Sequence, residues 1–249
     1  MTNIGVFDSG LGGIAVLNEL SKKNKAHYFY LGDNLRVPYG NRSKEEIKSF
    51  AYDIVSFLEQ FDIDYYIIAC NTISTTALDF LKTKFNKKFI PITDIAVRAA
   101  TSYKGDYLTL ATKATVESHY YKQEIEKITG ARVYEQAASK LVDYIESGIL
   151  TGKELSDTLK EYLLLANEKK IENIVLACTH YPLIKEEIKK VISYEANIID
   201  PAKFLASYIE SDSKNLDINI YMTKYSKDTE NLIKQIMECN YSIDFIGEL

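Results

Sequence analysis

Short apolar runs alternate with amphipathic stretches along the whole chain, and the two spacings assign different elements. Ile4–Phe7, Tyr28–Leu31, Tyr66–Ala69 and Phe89–Ile92 are brief, mostly apolar runs that read as buried strands. Between them, Gly13–Lys22, Lys44–Phe61 and Thr75–Phe85 have helical spacing and helix-forming residues. In the second helix, Ile47, Phe50, Ala51, Ile54, Phe57, Leu58 and Phe61 fall on one face, and Ser43 with Glu46 forms a capping box at its start. The alternation continues with a strand at Tyr107–Ala111, a helix at Ser118–Thr129 and a strand at Ala131–Tyr134. Helices at Leu141–Glu146 and Glu154–Lys169 lead to a strand at Asn173–Ala177 and a helix after Pro182. A short strand at Ile198–Ile199, a helix at Ala202–Glu210, a strand at Ile218–Met222, a helix at Thr229–Met237 and a strand at Ile243–Phe245 complete the pattern. Strands alternating with helices predict an α/β fold of mostly parallel sheets, each covered by helices on both faces.

One segment of this pattern occurs twice. Tyr66-Ile67-Ile68-Ala69-Cys70-Asn71-Thr72 and Ile174-Val175-Leu176-Ala177-Cys178-Thr179-His180 share apolar–apolar–Ala–Cys–polar–polar. Each copy closes a predicted strand just before a helix. Ligands of open α/β sheets bind at the carboxyl ends of strands, so two lobes of this kind bring two thiols to one cleft.

Composition narrows the class. The 249 residues suffice for one large domain or two modest ones, and with 46% hydrophobic and 26% charged residues the chain is neither disordered nor fibrous. A net charge of −5 argues against a nucleic-acid partner. No stretch approaches the roughly 20 apolar residues of a membrane span, and the start MTNIGVFDSGLGG lacks the features of a secretory signal. The expected compartment is therefore a reducing cytosol, where three cysteines are thiols rather than a disulfide framework.

Four constellations could carry chemistry. Ile4–Ala15 is a strand, a glycine-rich turn and a helix start; Gly10, Gly12 and Ala15 satisfy a dinucleotide fingerprint, with Asp33 as a candidate ribose acceptor. Asp8 and Ser9 stand at the mouth of that strand, however, where a carboxylate would repel a pyrophosphate and is better suited to handling protons. Cys70 lies at a strand end close to a helix amino terminus, a setting that lowers a thiol pKa, with Asn71 and Thr72 beside it to hold a carboxylate. Cys178, Thr179 and His180 bring thiol, hydroxyl and imidazole together, so that His180 could relay the proton exchanged by Cys178. Pro38-Tyr39-Gly40 is a tight loop before a capped helix, flanked by Arg36 and Arg42 as candidate anion attractors. No metal-ligand spacing is present, and a Cys–His hydrolase would leave the second Ala–Cys element unused.

At these residues the chain resembles the bacterial glutamate racemases of the aspartate/glutamate racemase superfamily. The matching blocks are Phe7–Gly13, Leu31–Asp33, Pro38–Gly40, Ile68–Thr72 and Ala177–Pro182, in family order, with the match fading after Asp200. The resemblance implies cofactor-independent interconversion of L- and D-glutamate, supplying D-glutamate for peptidoglycan, with no metal. It implies two similar lobes, residues 1–97 completed by 205–249 and residues 98–204, with the active site between them. It makes Cys70 and Cys178 the two acid/bases, with Asp8 and His180 as their respective helpers. It makes Asp8, Ser9, Tyr39, Gly40, Asn71, Thr72, Thr112, Thr115, Thr179 and His180 substrate-binding positions, and Glu146 a supporting acid. Ala111 and Ala114 stand where glycine-type residues are usual, and Val37 where cysteine is common; neither departure touches the catalytic thiols. Inversion at a carbon acid needs groups on both faces, which two thiols supply: Cys70 is expected to deprotonate D-glutamate and Cys178 L-glutamate. An aspartate or broad-specificity racemase, a dinucleotide enzyme and a silent binding protein are the other readings. The expected partner is a small-molecule substrate, with neither nucleic acid nor membrane, and a homodimer is left open.

Overall fold

The computed structural model describes residues 2–209 and 211–249. The chain opens with β1 (Asn3–Asp8), α1 (Gly12–Lys23), β2 (His27–Gly32), α2 (Lys44–Leu58), β3 (Tyr65–Ile68), α3 (Asn71–Lys84), β4 (Lys88–Pro91) and α4 (Ile92–Ala100). It continues with β5 (Tyr107–Ala111), α5 (Lys113–Glu117), α6 (Tyr120–Thr129), β6 (Val133–Ala137), α7 (Lys140–Glu146), α8 (Lys153–Tyr162), α9 (Leu164–Lys169) and β7 (Asn173–Ala177). The last elements are α10 (Lys185–Val191), β8 (Asn197–Ile199), α11 (Pro201–Tyr208), β9 (Asp217–Met222), α12 (Lys227–Ile236) and β10 (Ser242–Phe245).

Two sheets result, of order β10-β9-β2-β1-β3-β4 and β6-β5-β7-β8, and every strand pair in them is parallel. The larger sheet takes its strands from both ends of the chain and the smaller from the middle. Side-chain alternation along each strand feeds two cores per lobe. In the first lobe, Ile4, Val6, Tyr28 and Tyr30 face α1, α11 and α12, while Phe7, Phe29 and Leu31 face α2 and α3. In the second, Leu108, Leu110, Ile174 and Leu176 face α7, α8 and α10, while Tyr107, Val175 and Ala177 face α4 and α6. Covering on both faces explains why β5 and β7 are buried throughout. β9 alternates between buried and open positions towards the edge of its sheet.

The expected strands are all present, with ends shifted by at most three residues, the largest shift being at β6, expected over Ala131–Tyr134 and found at Val133–Ala137. The predicted capping box at Ser43 and Glu46 is formed. Several helical segments differ from expectation. Helix α3 begins at Asn71 rather than Thr75, because Cys70 itself caps it by accepting the Ile73 amide. The helix expected over Ser118–Thr129 starts at Tyr120, after His119 in a left-handed conformation (φ 53°), and is preceded by α5, which the sequence pattern does not predict; the helix expected over Glu154–Lys169 is divided at Leu163 into α8 and α9. Helix α4 has no counterpart in the sequence reading; it follows β4 without an intervening turn, so Ile92 reads as the end of the strand. It matters to the architecture, since Ile92 and Ile95 join the first lobe's core while Ala96, Val97, Ala99 and Ala100 join the second's. The boundary expected near residue 97 falls within α4 and that near 205 within α11. Glu210, the expected end of the latter helix, lies outside the described residues. No helix of the described residues is long and apolar enough to cross a membrane.

Candidate active site

The carboxyl ends of β1, β3 and β7 converge where the two lobes meet, and each delivers one of the predicted groups. β1 ends on Asp8, fully buried beneath the glycine-rich turn. Its Oδ2 accepts the Gly10 amide at 3.0 Å and its Oδ1 the Thr179 hydroxyl at 3.1 Å, so this carboxylate spans both lobes. Burial raises the Asp8 carboxyl above its ordinary range, against the opposing pull of His180 and the amide and hydroxyl donors.

β3 leads to Cys70, whose Sγ lies 3.5 Å from both the Ser9 hydroxyl and the Ile73 amide. The sequence reading expected the amino terminus of α3 to lower this thiol's pKa. The structure reverses that expectation: burial, reinforced by the nearby Asp8 charge, pushes Cys70 up to about 12. One turn of partly offset helix amides does not outweigh the loss of water around a thiolate. A thiol held this far up keeps its proton at neutral pH.

β7 leads to Cys178, with its Sγ 3.7 Å from His180 Nδ1. The other ring nitrogen, Nε2, lies 2.6 Å from Glu146 Oε1 on the last residue of α7. Burial opposes a charge on His180, yet the hydrogen bonds to Cys178 and Glu146 and the Glu146 charge raise its pKa well above normal. Glu146 Oε1 also accepts the Leu11 amide at 3.0 Å, which ties the second lobe to the glycine-rich turn of the first. Cys178, His180 and Glu146 thus form a continuous chain of side-chain contacts.

A narrow cavity lies between the thiols and is lined by Ser9, Tyr39, Gly40, Cys70, Asn71 and Thr72 from the first lobe. Thr112, Cys178, Thr179 and His180 line it from the second. Two predicted residues stand just behind it. Asp8 acts from beneath through Gly10 and Thr179, and Thr115 hydrogen-bonds the hydroxyls of Thr112 (3.1 Å) and Thr72 (3.4 Å). Thr72 and Thr112 also join across the lobes at 2.8 Å. A larger, more open space on the α1 and α11 side shares Asn71, Cys178 and Thr179 with the cavity.

The dinucleotide alternative loses its residues to other roles. A Cβ on Gly10 would stand 2.4 Å from Glu146 Oε1, and one on Gly12 would stand 2.4 Å from Thr179 Oγ1 and 2.7 Å from the His180 amide nitrogen. These glycines serve close approach of the lobes, and two carboxylates, Asp8 and Glu146, occupy the surroundings of the turn. Asp33 is wholly buried, accepting from Tyr39, Arg36 and the Thr223 hydroxyl. Arg36 pairs with Asp33 through Nε and with Asp53 through Nη1 and lies over the Phe50 ring, and Arg42 faces Glu46. Neither arginine lines the cavity.

Two buried tyrosines were invisible to sequence reasoning. Tyr30 donates to the Gly10 carbonyl at 2.7 Å and supports the turn from below. Tyr121, the second residue of α6, donates to Asn71 Oδ1 at 2.5 Å across the lobe interface. Both look like core aromatics in the sequence, and no motif surrounds them.

Comparison with known proteins places this geometry among relatives. The Asp/Glu/Hydantoin racemase family model matches residues 4–209. The glutamate racemase of Persephonella marina is 39% identical over 239 residues, covering 92% of this chain and 91% of that protein. The glutamate racemase of Aquifex pyrophilus is 34% identical over 247 residues, covering 96% of each. The crystal structure of Francisella tularensis glutamate racemase in complex with D-glutamate superposes with a TM-score of 0.89 at 28% identity, covering 99% of this chain and 97% of that one.

Proposed function

The chain belongs to the Asp/Glu/Hydantoin racemase family, and on that premise we propose that it interconverts L- and D-glutamate without a cofactor, using Cys70 and Cys178 as opposed proton carriers. The observation that carries this reading is the pair of buried thiols brought by strands of opposite lobes to one small cavity. The same reading assigns substrate binding to the cavity-lining hydroxyls and amides, lobe boundaries near residues 97 and 205, and a role in supplying D-glutamate for peptidoglycan.

From L-glutamate, the Cys178 thiolate takes the α-proton, forming an S–H bond as the C–H bond breaks. The Cys70 thiol then gives its proton to the opposite face, leaving Cys70 as thiolate and Cys178 protonated. That is the state required to run the reaction from D-glutamate. The high pKa of Cys70 suits a resting proton donor, and the charged His180 beside Cys178 suits a group that steadies and orients the alternating thiolate. A carbanion next to a carboxylate needs fixed donors and little water, and the cavity is walled by buried hydroxyl, amide and thiol groups.

Polarimetry with L-glutamate, L-aspartate and L-alanine and no added cofactor tests the activity. Rotation should decay with L-glutamate; decay with L-aspartate alone would move the specificity, and decay with none would defeat the reading. In deuterated solvent, Cys70→Ser and Cys178→Ser should each lose activity asymmetrically between the enantiomers. Two fully active variants would exclude the two-thiol mechanism.

A further inference from the structure

Asn71 is 2% exposed, lines the cavity, and its Nδ2 is a buried amide donor with no hydrogen-bond partner. An unpaired buried donor is costly, and folded proteins rarely leave one without a purpose. The other end of the same amide is occupied, because Oδ1 accepts the hydroxyl of Tyr121. A side-chain amide has one acceptor end and one donor end. With the acceptor end held by Tyr121, the donor end is left for an acceptor in the cavity.

From this geometry we infer that Tyr121 is a positioning residue: it fixes the orientation of the Asn71 amide so that Nδ2 is presented to a carboxylate of the bound acidic amino acid. The inference rests on the glutamate reading above for the identity of the ligand, and goes beyond it in assigning a residue that does not line the cavity. Tyr121 has the properties the role requires. It is 1% exposed, within a core formed by α4, α6 and β7. Burial holds its phenol well above the ordinary pKa, so the hydroxyl keeps its proton and remains a donor. Among the described residues Asn71 Oδ1 is its hydrogen-bond acceptor.

The neighbouring Tyr120 hydrogen-bonds Asp94 on α4 at 2.6 Å and meets the Tyr121 ring edge-on. The start of α6 is therefore anchored on the helix shared by the two lobes. The bond from Tyr121 in the second lobe to Asn71 in the first also makes the amide's orientation depend on how the lobes meet. Without the hydroxyl, the amide would be free to turn its oxygen toward the cavity, where it would repel a carboxylate.

Calorimetric titration with D-glutamate, alongside steady-state kinetics from both enantiomers, tests the assignment. Tyr121→Phe should weaken D-glutamate binding about tenfold and raise KM for both enantiomers by a similar factor, with a much smaller change in kcat. Asn71→Ala should show the same loss, and Tyr121→Phe added to Asn71→Ala should weaken binding no further. Unchanged affinity and KM in Tyr121→Phe, or losses that multiply in the double variant, would overturn the inference. Should Tyr121→Phe fail to fold, Asn71→Asp retains an acceptor for Tyr121 and removes the donor. It should bind D-glutamate at least tenfold more weakly, and undiminished binding would count against the assignment. A wild-type chain that binds D-glutamate without racemising it would sink the activity proposed above while calorimetry still decides the role of Tyr121. A wild type that binds no acidic amino acid overturns both.

Discussion

At the scale of the residue, the site retains ionisable groups at a cost to the fold. Asp8 is fully buried and its carboxyl is raised by that burial. A carboxyl raised in the folded state supports the fold at low pH and loses that contribution as pH rises through its folded pKa. At neutral pH, then, Asp8→Asn should melt higher than the parent, by about 2–4 °C for each kcal/mol of relieved penalty, while catalysis collapses. Thermal melts at pH 4 and 7 measure this, and the gain should shrink at the lower pH. Cys70 gives a second test with the same sign. Its folded pKa of about 12 exceeds the ordinary thiol value, so its stabilising contribution is complete below about pH 9 and fades toward pH 12. Relative to Cys70→Ala, the wild type should lose stability across that window by up to about 1.4 kcal/mol per pH unit. A difference that stays flat from pH 8 to 11 would contradict the proton placement.

At the scale of the element, the critical features are where helices begin and how closely turns approach. Helix α3 starts four residues before the apolar pattern suggests, since Asn71 and Thr72 read as loop residues although they form its first turn. That early start makes the residue after Cys70 part of a rigid element and sets Asn71 against Tyr121. The glycine-rich turn before α1 is shaped by proximity to the other lobe. Gly12→Ala would drive a methyl to 2.7 Å from the His180 backbone nitrogen, and backbone cannot swing aside as a flexible side chain can. Activity should fall at least 100-fold while the first-lobe fold, followed by far-ultraviolet circular dichroism, persists. The Ser43 cap at the start of α2 is remote from the cavity in role. Ser43→Ala should cost about 1 kcal/mol of stability and leave KM and kcat unchanged, which melts and kinetics together would verify.

At the scale of the whole molecule, the cavity is closed by hydrogen bonds that run between lobes: Thr179 to Asp8, Leu11 to Glu146, Thr72 with Thr112, and Tyr121 to Asn71. Parting of some of these bonds is the expected route for a ligand into the cavity they close. Saturating D-glutamate should therefore slow hydrogen exchange at the amides of Gly10 and Leu11, which donate to Asp8 and Glu146. Exchange that is equally fast with and without ligand would argue for a cleft that does not move. The two strips α4 and α11 carry the chain between sheets, so slower exchange there would report the same motion at the connection.

The alternation of apolar and polar positions alone determined the α/β class, nearly every strand, and the two Ala–Cys strand ends, because burial on both faces demands continuous apolar runs and strand ends demand polar ones. Short motifs also marked Asp8, Ser9, Tyr39, Gly40, Thr179 and His180, since each stands in or beside a turn whose residue types are restricted. Only the tertiary structure decided that burial at Cys70 outweighs its helix-terminus setting, that Glu146 reaches both His180 and Leu11, and that Tyr121 donates across the lobes to Asn71. Those properties depend on water excluded from, and charges brought across, a cleft between segments far apart in the chain, and no local pattern of residues encodes such a distance.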